Sequence, residues 1–376
     1  MKLLSYDTFI IFFVRVMFVV ASSVFINWVV FVPKEPEICQ SNKSISPYCN
    51  LAIVKTIQHN QGRISGIAIT PDNLTLVSGS EDQGIKLWDL HSGKLKQIFP
   101  DNSVPIGGIA ISPDGKTVVT GSETKILRVW NLATGKQLTI FKGHQNLKGY
   151  ENSVSLIIIS PDSQTVVSTA FSVPRVGMSN REIKVWDVNT GRLKHTLSQP
   201  PHSFNPASTP TTWVDLEISG IAITPDGQTI VSVNKDWICW WDLASGKLQT
   251  TIHNTAGTKK LVSIDRDNLA TVSTNSSPSV KTIDLKTGKI HQEVARSDGF
   301  DALISTADRR YAIGLVAKAL SKTSSYQARN LSYLKIWNLQ TGQLLVDKLT
   351  RGSMLAVSPD RQTIVIATDN TIEIWR

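Results

Sequence analysis

Three cysteines in 376 residues are too few for a disulfide scaffold. No Cys-x-x-Cys pair or Cys/His cluster is present, and the seven histidines are dispersed, so no metal site is expected. No glycine-rich phosphate loop appears, and no cofactor is expected. Long basic runs are missing too: the net charge is +9, yet Lys259-Lys260 and Arg309-Arg310 are the only Lys/Arg doublets. Nucleic-acid binders usually carry a basic stripe interleaved with aromatics, so no nucleic acid is expected as a partner. Helix-type periodicity is scarce, and the all-β fold class expected for this chain rests on the repeats described below.

One long apolar run is present. Residues 9–32 read FIIFFVRVMFVVASSVFINWVVFV, 24 residues that suffice to cross about 30 Å of hydrocarbon as a helix. Arg15 and Trp28 suit the two interfaces. The expectation is an uncleaved transmembrane helix or signal anchor at 9–32, after a flank at 1–8 and before a linker at 33–50. A cleaved secretory signal, giving a secreted protein, is the alternative, and a buried helix is the third reading. Cys39 and Cys49 are separated by QSNKSISPY, which can fold back, and are a candidate disulfide. Such a bond persists in an oxidising compartment and favours an extracytoplasmic side.

What organises the rest is the phrase IKLWDLHSGK at 85–94. Trp88 precedes Gly93 by five residues, and the same spacing links Trp130 to Gly135, Trp186 to Gly191, Trp241 to Gly246 and Trp337 to Gly342. Ile283 stands in the Trp position before Gly288, and Trp375 is the second-last residue. Each unit has four strands. In the first, ISGIAIT and LTLVSGS flank the turn Pro71-Asp72-Asn73, then IKLW and a polar fourth strand follow. The turn aspartates Asp72, Asp114, Asp162, Asp226, Asp267, Asp308 and Asp360 lie 42, 48, 64, 41, 41 and 52 residues apart.

The pattern ITPDN…SGSEDQGIKLWD, repeated as ISPDG…TGSETKILRVWN and as ITPDG…ICWWD, resembles the WD-repeat (WD40-type) β-propeller family. The resemblance covers residues 51–376, with degenerate fifth and sixth units. It implies a monomeric seven-bladed propeller of four-stranded antiparallel blades. Ala52–Ile57 falls where a fourth strand belongs, and its expected place is beside Thr371–Trp375, closing the last blade. Many blades of this family carry a hydrogen-bonded brace, which the resemblance places in the first blade on His59, Ser78, Asp82 and Trp88. In other blades Trp130, Trp186, Trp241, Trp337 and Trp375 keep the Trp position, and Asp236 and Asp369 keep the Asp position. His144 precedes the third blade, while Thr124, Asn180 and Ser277 stand in place of the Asp. The Ser–His–Asp set is read as structural, and no catalytic residue is assigned.

Insertions fall on one face. Asp-to-Trp spacing is 15 or 16 in five units but 24 in the third and 29 in the sixth. Gly-to-Asp spacing rises to 27 before the third unit and 35 before the fourth. The inserted segments hold Tyr150, Phe171, Arg175, Met178, His202, Phe204, Trp213, Tyr326 and Arg329, residue types that anchor protein interfaces. The expected function is a membrane-anchored, non-enzymatic scaffold that binds a protein or peptide on this face. The alternative is a propeller enzyme or small-ligand sensor with its site at the central channel mouth.

Overall fold

The computed structural model describes residues 15–20, 23–28, 48–59, 62–81, 84–99, 106–122, 124–144, 152–172, 182–200, 218–234, 236–254, 258–264, 268–273, 279–284, 290–296, 302–306, 310–317 and 331–376. Seven four-stranded sheets and one two-stranded sheet make up its regular structure. The first sheet runs Ile64–Ile69, Thr75–Ser80, Ile85–Asp89, Leu95–Phe99, each strand antiparallel to the one before. Five further sheets repeat this order along the chain. The seventh consists of Met354–Val357, Ile364–Ala367 and Thr371–Trp375, and its fourth strand is Ile53–Gln58 from the far end of the chain. Ile53 lies opposite Trp375 and Gln58 opposite Thr371. The backbone of Ala52 and Arg376 extends this ladder by two hydrogen bonds, at 2.8 and 3.0 Å.

Two turn chemistries recur because side chains supply the bonds that tight turns leave open. Between the first and second strands, Thr70 donates its hydroxyl to Asp72 at 2.5 Å and accepts the N–H of Thr75 at 3.0 Å. Ser112 with Asp114, Thr224 with Asp226 and Ser358 with Asp360 do the same. Between the third and fourth strands, Asp89 accepts both the N–H and the hydroxyl of Ser92 at 2.8 Å. The chain then passes through Gly93 at φ +69°, where a side chain would strain the backbone. Gly135, Gly191, Gly246 and Gly342 occupy the same place at φ +68° to +74°. A register shift at the Trp follows in each case, the bulge that normally closes such a hairpin.

The core is divided among the junctions between sheets. Seven apolar clusters occur, and each straddles two neighbouring sheets. The Trp of each third strand packs against the preceding sheet. Trp130 meets Val77 and Phe99 of the first, and Trp186 meets Val119 and Phe141 of the second. Trp88 of the first sheet packs with Ile57, Val365 and Ile374 of the seventh. Turns also touch across junctions: Ser163 Oγ accepts the N–H of Asp114 at 3.1 Å, and Asn73 Oδ1 that of Asp360 at 3.2 Å.

The N-terminal run departs from the helix expected over 9–32. Arg15–Val20 and Ser23–Trp28 are strands, paired antiparallel with Arg15 opposite Trp28. Val, Ile and Phe dominate this run, and such residues favour extended chain as much as a continuous apolar pattern favours a helix. Among the described residues no helix is long and apolar enough to cross a membrane.

Candidate functional site

Strand limits separate two faces. All third-to-fourth connections are five residues long: 90–94, 132–136, 188–192, 243–247, 285–289 and 339–343. First-to-second connections vary little, from 265–267 to 358–363. Antiparallel order puts the remaining connections at the opposite end, and there the spread is wide. The shortest is 352–353, two residues between Arg351 and Met354, while 199–219 and 318–330 are the long extremes.

Of the nine residues expected to form a binding surface, Tyr150, Arg175, Met178, His202, Phe204, Trp213, Tyr326 and Arg329 lie outside the described residues. Phe171 is placed by its backbone alone, opposite Ser153 at the end of the strand Thr165–Ser172. Asp82, Asn180 and Ser277 of the expected braces, and Cys39, also lie outside. Cys49 is disulfide-bonded, and Cys239 is a buried free thiol.

Buried braces recur from sheet to sheet. In the first sheet, Trp88 Nε1 donates to Ser78 Oγ at 2.9 Å, and His59 Nε2 meets the same oxygen at 3.2 Å. Lys86 Nζ donates to the His59 carbonyl at 3.3 Å. In the third sheet, Trp186 Nε1 donates to Ser168 Oγ at 2.9 Å, with His144 Nε2 at 2.8 Å from it. The His144 Nδ1 atom is buried and meets no hydrogen-bond partner among the described residues. Burial, followed by the nearby Lys184 and Lys125, pushes the His144 imidazole down to about 3, so it is neutral in all ordinary buffers. In the second sheet Trp130 donates to Thr120 at 3.0 Å, and Thr124 meets Ser122 rather than a histidine.

Two braces use residues that motif reading overlooks. In the fourth sheet Ser232 Oγ accepts from Trp241 Nε1 and from Gln199 Nε2, both at 2.9 Å. Gln199 therefore occupies the place of His59, and its Oε1 accepts from Asn234. In the seventh sheet Ile366 stands where Ser78 does, and the indole of Trp375 donates instead to Glu373 Oε2 at 3.2 Å. Glu373 also accepts the Thr350 hydroxyl at 2.9 Å. Asp369 is not part of a brace: it pairs with Arg63 on the surface at 3.1 Å.

Chemically these sets are braces. Ser78, Ser168 and Ser232 are fully buried, and each hydroxyl oxygen is engaged by an indole N–H. A serine nucleophile needs a free oxygen facing substrate. Among the described residues no group of three or more His, Cys, Asp or Glu is placed to hold a metal ion.

No curated protein matches the chain. A family model does. Its first match begins with the strand that completes the seventh sheet and ends with the third strand of the first, so one sequence unit straddles two sheets. Residues 52–89 and 93–131 match the family described as WD domain, G-beta repeat.

Proposed function

We propose that the seven sheets are the blades of a closed β-propeller, and that the chain is a non-enzymatic scaffold for a protein or peptide partner. Seven clusters joining neighbours, the last uniting seventh and first, support the ring. One observation carries the site: connections at one end are nearly constant in length, while those at the other range from two residues to the 21 of 199–219. Long connections on a rigid frame commonly carry recognition. The test is crosslinking capture with 173–181 and 201–217 replaced by short Gly-Ser links. Loss of the partner with an unchanged melting temperature is expected. Undiminished capture by both variants would place recognition elsewhere.

The proposal includes membrane association through residues 9–32. A lone pair of strands leaves unsatisfied edges in hydrocarbon, so crossing would require the pair Arg15–Val20 and Ser23–Trp28 to convert to a helix in the bilayer. The disulfide at Cys49 supports an oxidising side for the propeller, with Cys39 as its proposed partner. Protease protection in sealed membranes checks the orientation: a propeller digested only from the cytoplasmic side would overturn it.

A further inference from the structure

The outermost strands of five adjoining sheets share an unusual composition. These are Ile53–Gln58, Leu95–Phe99, Gln137–Lys142, Leu193–Ser198 and Leu248–His253, belonging to the seventh and the first four sheets. None contains Asp or Glu, whereas the corresponding strands of the fifth and sixth sheets carry Glu293 and Asp347. Large aliphatic side chains are exposed along them. Val54 is 50% exposed and Leu138 55%, with Ile53, Leu95, Leu193 and Leu248 close behind. These six sit at the end of the strand nearest the constant turns, while Ile98 and Ile140 are exposed farther along their strands. Lys94, Lys136, Arg192 and Lys247 stand exposed immediately beside that end, and Lys55 lies on the seventh sheet's strand. The nearest carboxylates, Asp89, Asp187 and Asp242, are engaged by their own turns.

An edge this rich in exposed aliphatics would ordinarily promote self-association. Lysine and arginine interleaved with leucine, without acidic residues, match a surface that is negative at its headgroups and apolar beneath them. The strand Ile53–Gln58 begins at this same end, so the apolar run 9–32 connects to the belt through the segment before it.

We propose that this belt, on the rim of the seventh and first four sheets beside the constant turns, rests on an anionic bilayer surface. The belt rests on the membrane association proposed above and turns it into an orientation: the constant turns face the lipid and the long connections face away. Long Lys and Arg stems lie along the interface with their charges at the phosphates, while the leucines enter the headgroup boundary.

The experiment uses the full chain with Leu138→Cys, Leu248→Cys or, as a control at the opposite end of a rim strand, Ser198→Cys. Each is labelled with an environment-sensitive maleimide dye. Cys239 will not compete, because it is buried and its thiol is pushed up to about 12. Vesicles are phosphatidylcholine alone or mixed with phosphatidylglycerol. Flotation with both vesicle types is expected; failure to float removes the tether, and failure to float together with no shift at 138 or 248 on the mixed vesicles overturns the belt as well. The dye at 138 and 248 is expected to shift blue and resist aqueous quenching on the mixed vesicles only, with no change at 198. The combined variant K94E/K136E/R192E/K247E should still float and should lose the shift. No shift at 138 or 248 on anionic vesicles overturns the proposal. So does an equal shift on both vesicle types, or a shift without vesicles that grows with protein concentration and so reports a second copy.

Discussion

Gln199 donates its side-chain N–H to Ser232 at 2.9 Å, in the place where His59 meets Ser78. The fourth brace is thus complete without a histidine. Replacing Ser232 by Ala would orphan two buried donors, the Trp241 indole and the Gln199 amide. With about 1–3 kcal/mol lost for a buried group left unpaired, Ser232→Ala should lower unfolding free energy by about 2–3 kcal/mol. Urea titration measures it. A cost near zero would mean that the brace contributes only shape.

Glu373 gives the seventh sheet its acceptor, since Ile366 offers none. Glu373→Gln keeps an oxygen for Trp375 and Thr350 and should be tolerated. Glu373→Leu leaves both donors unpaired at the junction of the chain's two ends. Amide exchange in 53–58 and 371–375 should then accelerate ahead of the other sheets. Uniform acceleration across all seven would contradict this local reading.

Acid sensitivity follows from the turns. The Ser160 hydroxyl, then the Gln164 N–H, hold Asp162 below the usual carboxylate range; the Thr190 N–H and then its hydroxyl do so for Asp187. A carboxylate with a lowered folded pKa stabilises above its unfolded value, about 3.9, and that contribution is lost as pH falls through the folded value. The urea midpoint should therefore drop below about pH 4. Asn131 and Asn338 hold the equivalent turns without a charge, so Asp187→Asn should fold and show a shallower acid slope. An unchanged slope would remove Asp187 from the account.

Close approach between sheets predicts unequal glycine costs. A Cβ on Gly121 would lie 2.6 Å from the Val154 carbonyl oxygen, which is backbone and cannot rotate away. On Gly79 it would meet the Ile106 Cγ2 methyl at 2.9 Å, which has more freedom. Gly121→Ala should cost about 2–3 kcal/mol, toward the upper end of overpacking penalties, and Gly79→Ala less. Thermal melts of the two variants decide the order, and the reverse order would refute it.

Much of this was legible from spacing. The five-residue step from Trp to Gly is a hairpin with a fixed number of residues, and the offset between units placed a fourth strand at 52–57, one residue from the observed Ile53–Gln58. Gln199 was not legible, because it lies far from Ser232 in sequence and an amide is not the expected partner. Glu373 was missed because its position, two before the Trp, holds Lys86, Arg128, Lys184 and Lys335 in other units. Asp369 misled for a plainer reason: its carboxylate turns outward to Arg63. The run at 9–32 has no polar rhythm, so pattern alone could not choose between helix and strand.

The pairing of Ile53–Gln58 with Thr371–Trp375 also sets a timetable. Thr371 and Gln58, which touch in the finished fold, are 313 residues apart. At synthesis rates of about 5–20 residues per second, roughly 15–60 s pass between making one strand and making its partner. Throughout that interval a strand carrying Ile53 and Val54 has no Thr371–Trp375 to pair with, and the apolar run 9–32 precedes it. Until residues 371–375 emerge, that unpaired edge is open to the wrong pairings that the completed sheet prevents.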